Sequence, residues 1–255
     1  MIWFIPNLSI CYQQSIYGIE YNHGFQNHRT SLTKIRSSIL ETSENLIGKG
    51  NSNHFNAFYS FPIFRNECQP SPLNLGFNIG YKQTSAEVFG YSKDQILLNN
   101  ELITGDIKQS IKIDYTSFVI GTYLTLFESS ITFMTFGIEG HFFANNSYYQ
   151  KEVITSPKNE GAFQDNQSRS RNIQTGKIPD INSIIYICYA KIHFDIPLNE
   201  EKNYYISPTL FLEFQINEIS KSSGWFSTSY GIGLSFKYHF KKPLNFNFDN
   251  ILTPS

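Results

Sequence analysis

The sequence predicts an all-β fold: an eight-stranded antiparallel up-and-down transmembrane β-barrel with long external loops. The first reason is the stretch Trp225–Phe240, where apolar residues alternate with small or polar residues over sixteen positions. Strict alternation is typical of a β-strand, and strands of soluble domains usually have about five or six residues. A tilted strand that crosses a bilayer needs about 9–11 residues. The other two reasons are that seven further segments show the same alternation and that long and short connections alternate along the chain.

Eight segments in all have an apolar face opposite a small or polar face, and closure of an up-and-down barrel favours an even number. These predicted strands are Ile16–Phe25, Asn53–Pro62, Leu73–Ala86, Ser110–Leu126, Ile131–Phe143, Ile184–Ile196, Tyr204–Ile216 and Trp225–Phe240. Within Ser110–Leu126 the apolar residues change phase halfway, which predicts a β-bulge near Thr116 or Ser117.

The connections assign the two sides of the barrel. Those after the first, third and fifth predicted strands are long and polar, and they include Glu87–Lys108 and Ala144–Ser183. Barrels of this kind have short periplasmic turns and long external loops. We therefore expect residues 1–15 to be a signal remnant or periplasmic lead-in, 16–240 to form the β-barrel and 241–255 to be a periplasmic C-terminal tail.

The composition narrows the class of protein further. The chain has 255 residues, a net formal charge of −1 and a pI of about 6.6, so it lacks the basic excess of a general nucleic-acid binder. Its mean hydropathy is −0.28, and no uncharged apolar run is long enough for a transmembrane helix. The 23 Phe and 16 Tyr, against 2 Met, suit strands and aromatic girdles. Three cysteines without metal-type spacing predict no disulfide framework.

Ionisable side chains lie on the inward faces of the predicted strands. They are Glu20, Lys82, Glu139, His141, Lys191, His193, Asp195, Glu213, Lys237 and His239. An eight-stranded barrel has an interior just wide enough for side chains to fill, and charges buried there must pair. We therefore predict a structural polar network in the lumen, with a narrow conductive path and a hydrolytic site as the alternatives.

A catalytic interpretation of the lumen would depend on His193, Asp195 and His239. No nucleophile elbow, phosphate-binding glycine loop or metal-ligand cluster accompanies them, so no catalytic residue, metal or cofactor is predicted. Barrel enzymes with active sites at the outer rim are a further alternative. The rim candidates here are Glu152, Asp165, Arg169, Arg171 and Asp180.

The connection Ala144–Ser183 is the best candidate for contact with a partner, because connections of such length are usually functional or disordered. Arg169 and Arg171 are suited to bind lipopolysaccharide phosphates, since guanidinium groups bind phosphate through two parallel hydrogen bonds. The alternative is that this connection is a mobile cap over the barrel mouth.

Several short motifs from the fifth predicted strand onward precede a glycine-rich last strand. They are Tyr149–Glu152, Ser156-Pro157, Phe163, Ser168–Asn172, Gly176–Asp180, Asp195–Leu198 and Ser207-Pro208. In these motifs the chain resembles outer-membrane β-barrel proteins of the Bacteroidetes and Chlorobi type. The resemblance implies a barrel fold and an envelope location, and it implies little about activity. This chain departs from the family in having less Gly and Ala in its strands.

The last predicted strand also resembles the signal that the barrel-assembly machinery reads. Ser229 and Gly231 supply a polar residue followed by a glycine, and Leu234 and Phe236 supply two spaced apolar residues. Phe240 ends the strand, although a tail follows it.

The sequence thus predicts a non-enzymatic protein in the outer membrane of a Gram-negative bacterium, with a structural or interaction role. One form of that role is a subunit of a larger envelope or secretion assembly. The expected partners are outer-membrane lipid and lipopolysaccharide, the barrel-assembly machinery and other envelope proteins. A small porin-like transporter is the alternative, although water-filled channels need about sixteen strands. A barrel enzyme is the third possibility.

Overall fold

The fold is seen in a computed structural model that describes residues 12–30, 46–63, 73–127, 132–178, 180–221 and 224–243. Within these ranges the chain forms ten β-strands: β1 (Tyr12–Thr30), β2 (Leu46–Pro62), β3 (Leu73–Leu98), β4 (Glu101–Phe127), β5 (Thr132–Ser156), β6 (Ser170–Gly176), β7 (Ile184–Phe194), β8 (Ile196–Pro197), β9 (Tyr204–Gln215) and β10 (Phe226–Pro243). Most of the predicted N-terminal lead-in, residues 1–11, and of the C-terminal tail, residues 244–255, lies outside the described residues.

Eight of the described strands close into a ring, which confirms the predicted barrel. The antiparallel order is β1-β2-β3-β4-β5-β7-β9-β10, and β10 pairs again with β1. The short β6 pairs with β5 outside the ring, and the two-residue β8 continues the line of β7 beside β9. A path that starts at Ile16 and steps across every pairing returns to β1 at Gln26, ten residues further on. For eight strands this stagger corresponds to a strand tilt of about 40°.

The outer surface of the ring is apolar over a band of limited height. On β3 the outward residues from Leu73 to Tyr81 are all apolar, and Phe77 and Ile79 are 50% and 62% exposed. The next outward residues, Gln83 and Ser85, are polar. A soluble protein rarely exposes so large an apolar surface, whereas a bilayer-spanning barrel has an apolar band about 25 Å tall.

Aromatic residues follow one another along the edge of this band. A single cross-strand row of pairings runs from β1 to β5 through Tyr21, Phe55, Tyr81, Phe118 and Phe142. The rings of Tyr81 and Phe118 pack edge to face with centroids 6.0 Å apart. Girdles of aromatic rings of this kind are typical of the interface between membrane and water.

The prediction of a polar loop over Glu87–Lys108 is wrong. β3 and β4 stay paired through this segment and turn at Asn99 and Asn100, whose φ angles are 52° and 68°. Two consecutive residues with positive φ form the tight turn that suits a twisted hairpin, and Asn tolerates this conformation better than most residues. Strand pairing also replaces part of the predicted loop Ala144–Ser183, because β5 continues to Ser156 and β6 pairs with it.

A register shift lies between Thr116 and Ser117, where the bulge was predicted, and the additional residue is Ala144 of β5. The change of phase in the predicted fourth strand nevertheless has a different cause. The alternation of inward and outward side chains continues unbroken through β4. Most apolar residues lie on the inward face up to Tyr115 and on the outward face from Phe118 onward. Apolar residues of β4 face lipid in the band and face the barrel interior beyond it.

The interior therefore has two layers. We call the end near Pro62 and Leu73 the short-turn end, and the opposite end, towards the Asn99 turn, the hairpin end. Towards the hairpin end the interior is filled by apolar side chains, which we call the mouth cluster. It comprises Leu46, Ala86, Val88, Ile111, Ile113, Tyr115, Ile178, Ile185, Ile187, Ile219 and Trp225. Below it, towards the short-turn end, most of the inward side chains are polar or charged, and Ile16, Phe133 and Phe211 are among the buried apolar ones.

Candidate functional site: a charged lumen

The inward placement of the ten predicted lumen residues is found in the structure. All ten are buried, with exposed fractions of 1% to 8%. Nine of them lie on six strands of the ring, and the tenth, Asp195, lies between β7 and β8. Alternation along each strand fixes this orientation, because successive side chains point to opposite faces.

Three lysine–carboxylate pairs cross the lumen between strands that are distant in sequence. Lys82 Nζ lies 2.5 Å from Glu213 Oε2, and Lys191 Nζ lies 2.6 Å from Glu20 Oε2. Lys237 Nζ lies 2.7 Å from Asp195 Oδ1. Each pair removes two charges from water and compensates them directly, which is the condition under which buried ions are tolerated.

Glu139 differs from the other lumen carboxylates, because no ion pair with a lysine is found for it among the described residues. The side-chain amide of Asn78 donates to Oε1 at 2.7 Å, and Nε2 of His141 lies 3.1 Å from Oε2. Nδ1 of His141 lies 3.4 Å from the hydroxyl of Ser117. Glu139 is thus held by an amide and an imidazole.

A further lumen residue, His54 of β2, lies beside this carboxylate. It is 2% exposed, and its ring centroid is 6.1 Å from that of His141. His54 is not among the predicted site residues, because the prediction of the second strand depends on its apolar face. The signal was available, since His54 precedes Phe55 and therefore points to the opposite face.

The structure does not assemble a triad from His193, Asp195 and His239. Nδ1 of His193 lies 3.0 Å from the hydroxyl of Thr209, and Nε2 of His239 is 3.7 Å from Asp195 Oδ2. The hydroxyl of Ser207 donates to Asp195. A serine nucleophile needs its hydroxyl hydrogen-bonded to a general base such as histidine. The hydroxyl of Ser207 is hydrogen-bonded to the carboxylate of Asp195 instead.

Side chains fill most of the lumen. A cavity of about 50 Å³ remains towards the short-turn end, lined among others by Glu20, Asn56, Asn78 and Lys191. A water molecule occupies about 30 Å³ of the liquid, so this space suits one or two waters. The mouth cluster separates the cavity from the hairpin end, where the indole of Trp225 donates to Nδ1 of His28 at 3.2 Å.

Arg169 and Arg171 lie beyond the apolar band, and both bind groups of their own chain. Nε of Arg171 donates to Glu152 Oε2 at 2.8 Å, and a second nitrogen donates to Asp94. Its guanidinium carbon lies 4.1 Å from the centroid of the Phe163 ring. Arg169 donates to backbone carbonyls, including that of Ile154 at 2.9 Å. Their role in binding a partner stays a prediction, and an outer-rim active site that includes Glu152, Asp165 and Asp180 stays an alternative.

The predicted assembly-signal residues lie on β10, the strand that closes the ring. Leu234, Phe236 and Phe240 point outward with exposed fractions of 44% to 48%. Gly231 pairs with Gly24 of β1 and with Phe211 of β9. The structure thus places all four residues on the closing strand, and their recognition by an assembly machinery stays a prediction.

A closed ring with an apolar outer band and a charged, filled interior defines the class of this protein as a transmembrane β-barrel. In the part of the chain that the structure describes, no helix has the length and hydropathy of a transmembrane segment.

The sequence matches no family model and none of the curated proteins. Solved structures similar in fold include the attachment invasion locus protein Ail of Yersinia pestis, at 12% identity and a TM-score of 0.27, with 89% of this chain and 100% of that chain covered. The outer membrane protease OmpT from Escherichia coli is similar at 9% identity and a TM-score of 0.38, covering 94% and 99%. A Pseudomonas aeruginosa FadL homologue is similar at 8% identity and a TM-score of 0.26, covering 88% and 90%. The fold assignment depends on the strand pairing of this chain itself.

Proposed function

We propose that this chain is a non-enzymatic protein of a Gram-negative outer membrane that anchors a projecting β-structure for interaction with other envelope components. The observation that carries the proposal is the contrast between a filled lumen and a long extension. The extension consists of β3 beyond Gln83, β4 before Ser117, β5 beyond Asn145, β6, and the connection between β5 and β6. The resemblance to barrels of the Bacteroidetes and Chlorobi type agrees with an envelope location.

The extension is a folded structure and not only a set of loops. It has an apolar core of its own, formed by Ile96, Ile107, Ile154 and Phe163. The ion pairs of Arg171 with Glu152 and Asp94 tie β6 and β5 to the β3–β4 hairpin. A rigid projection suits interaction, because little conformational entropy is lost when a preorganised surface binds.

Apolar side chains remain exposed on this extension. Tyr91, Leu102 and Ile173 are 61%, 51% and 56% exposed. They lie beyond the apolar band, on strands whose exposed residues also include Glu101 and Lys112. Exposed apolar residues on a rigid projection supply the kind of contacts that protein interfaces bury.

We expect a stoichiometric partner to co-purify with the full chain from native membranes in mild detergent. Leu102→Asp combined with Ile173→Asp should abolish the co-purification, because a charge in an apolar contact loses its hydration without compensation. Glu101→Gln, a change at the exposed neighbour of Leu102, is the matched control and should keep the partner. If the wild-type protein purifies alone, or if the double variant retains its partner, the interaction role proposed for the extension is wrong.

We also expect the wild-type barrel to show no stable single-channel conductance in a planar bilayer. The physical reason is that paired charges and the mouth cluster occupy the interior of an eight-stranded ring. A porin of about sixteen strands, recorded in the same lipid, is the positive control. Reproducible conductance steps from the folded protein would favour the porin-like alternative.

A further inference from the structure

We propose that the lumen contains a divalent-cation site formed by His54 of β2, Glu139 of β5 and Glu213 of β9. One ring nitrogen of His54 and one carboxylate oxygen of each glutamate all lie within 4.8 Å of one another. All three residues are buried. One imidazole nitrogen with two carboxylate oxygens is a donor set that zinc uses in proteins. The site goes beyond the proposed function, since interaction through the extension does not require a metal.

His54 supplies an observation that does not depend on the acidic residues. Its Nε2 is buried and has no hydrogen-bond partner among the residues that the structure describes. Buried polar atoms are nearly always hydrogen-bonded, and exceptions need an explanation such as an ion. A cation bound by the nitrogen lone pair would satisfy this atom.

Asn56 is placed to set the required tautomer of His54. Its Nδ2 lies 3.4 Å from Nδ1 of His54, while its Oδ1 is buried with no hydrogen-bond partner within the described ranges. Rotation of this amide by half a turn presents Oδ1 to Nδ1. Nδ1–H then donates to the oxygen, and Nε2 offers its lone pair to the metal. Metal-binding histidines commonly donate their other ring N–H to an oxygen in this way.

The charges around the site favour a cation. Glu20, Asp195 and Glu213 each bind a lysine, whereas Glu139 is held by Asn78 and His141. Among the described residues, Glu139 is thus a lumen carboxylate without an ammonium group in direct contact. Lys82 binds only Oε2 of Glu213. His141 would not contact the metal itself. It would orient the carboxylate of Glu139, because its ring nitrogen contacts one of the two carboxylate oxygens.

The site needs only a modest contraction, and a small cavity lies next to it. Ligand atoms around a tetrahedral zinc at 2.0–2.1 Å lie about 3.3 Å apart, so the three atoms must approach one another by up to about 1.5 Å. The 50 Å³ cavity is lined by Asn56 and Asn78, the direct neighbours of His54 and Glu139. It therefore lies directly beside the site, on the side of the short-turn end.

The test is a zinc titration of the folded full chain in detergent after dialysis against EDTA, with calorimetry for affinity and elemental analysis for stoichiometry. We expect one tightly bound zinc per barrel. His54→Gln should weaken the zinc affinity by at least about 100-fold. This is more than is usually lost when a residue that only orients a metal ligand is removed. His193→Gln is the matched control, because it removes another lumen histidine, one that lies beside Thr209, and should leave the affinity unchanged.

Two results would overturn the site. One is the absence of saturable zinc uptake by the wild-type barrel, and the other is a folded His54→Gln barrel that binds zinc as well as the wild type. If His54→Gln fails to fold, X-ray absorption of the zinc-loaded wild type decides. One imidazole nitrogen with carboxylate oxygens in the first shell supports the site, whereas a shell without imidazole excludes it. Neither result depends on whether the extension binds a partner.

Discussion

Lys191→Met is expected to destabilise the folded barrel by about 3–5 kcal/mol, the usual cost of breaking a buried ion pair. Its ammonium group lies 2.6 Å from Glu20 Oε2, and both residues are less than 8% exposed. Methionine has a similar volume but leaves the carboxylate of Glu20 without its counter-ion. The measurement is the free energy of unfolding in lipid vesicles, from urea titrations followed by gel mobility and by tryptophan fluorescence.

A double substitution separates the effect of the unpaired charge from the effect of altered packing. Glu20→Gln combined with Lys191→Met removes both charges and should recover most of the lost stability, because replacing both partners of a buried pair is often nearly neutral. Lys112→Met, at an exposed position of the extension, is the control and should change the free energy of unfolding by less than about 0.5 kcal/mol. If Lys191→Met costs no more than Lys112→Met, the lumen pairs do not stabilise the fold.

The inward orientation of Lys191 and Glu20 was predictable, but their contact was not. Alternation with a period of two assigns each side chain to a face, and this holds for every residue of a strand. Contact across the lumen also requires that two residues lie at the same height. Height depends on the ten-residue stagger accumulated over eight pairings, which is a property of the whole ring. Lys191 and Glu20 are 171 residues apart in the chain.

The extension was missed for a related reason. The transmembrane pattern requires apolar outward residues, and this requirement ends where the strand leaves the bilayer. Beyond Tyr81 the outward residues Gln83 and Ser85 face water, so the segment has the composition of a loop. The inward residues Val88 and Ile111 are the remaining signal, and they pack in the mouth cluster. In this part of the hairpin the apolar alternation thus lies on the inward face alone.

Gly231→Leu is expected to prevent closure of the barrel. Gly231 lies where β10 pairs with β1, opposite Gly24. A Cβ atom at this position would overlap the carbonyl oxygen of His23 and lie 2.8 Å from Cα of Gly24 and from the Phe211 ring. Two of these three atoms belong to the backbone of β1. They cannot move away without breaking the pairing that closes the ring, so the glycine is required by the close approach of the strands.

The measurement is the folded fraction after refolding from urea into lipid vesicles, read from gel mobility without heating. We expect Gly231→Leu to remain largely unfolded. Ile232→Leu is the matched control, because Ile232 is the next residue, points outward and is 61% exposed. This control should refold like the wild type.

Refolding in vesicles also separates two roles of Gly231, since it proceeds without an assembly machinery. Overlap with β1 must impair folding in vesicles and in cells alike, because the backbone geometry is the same in both. Loss of a recognition signal would impair folding in cells only. A Gly231→Leu protein that refolds fully in vesicles but does not reach the membrane in cells would therefore contradict the steric argument and support the assembly signal. Failure in both settings is the outcome that the pairing of Gly231 with Gly24 predicts.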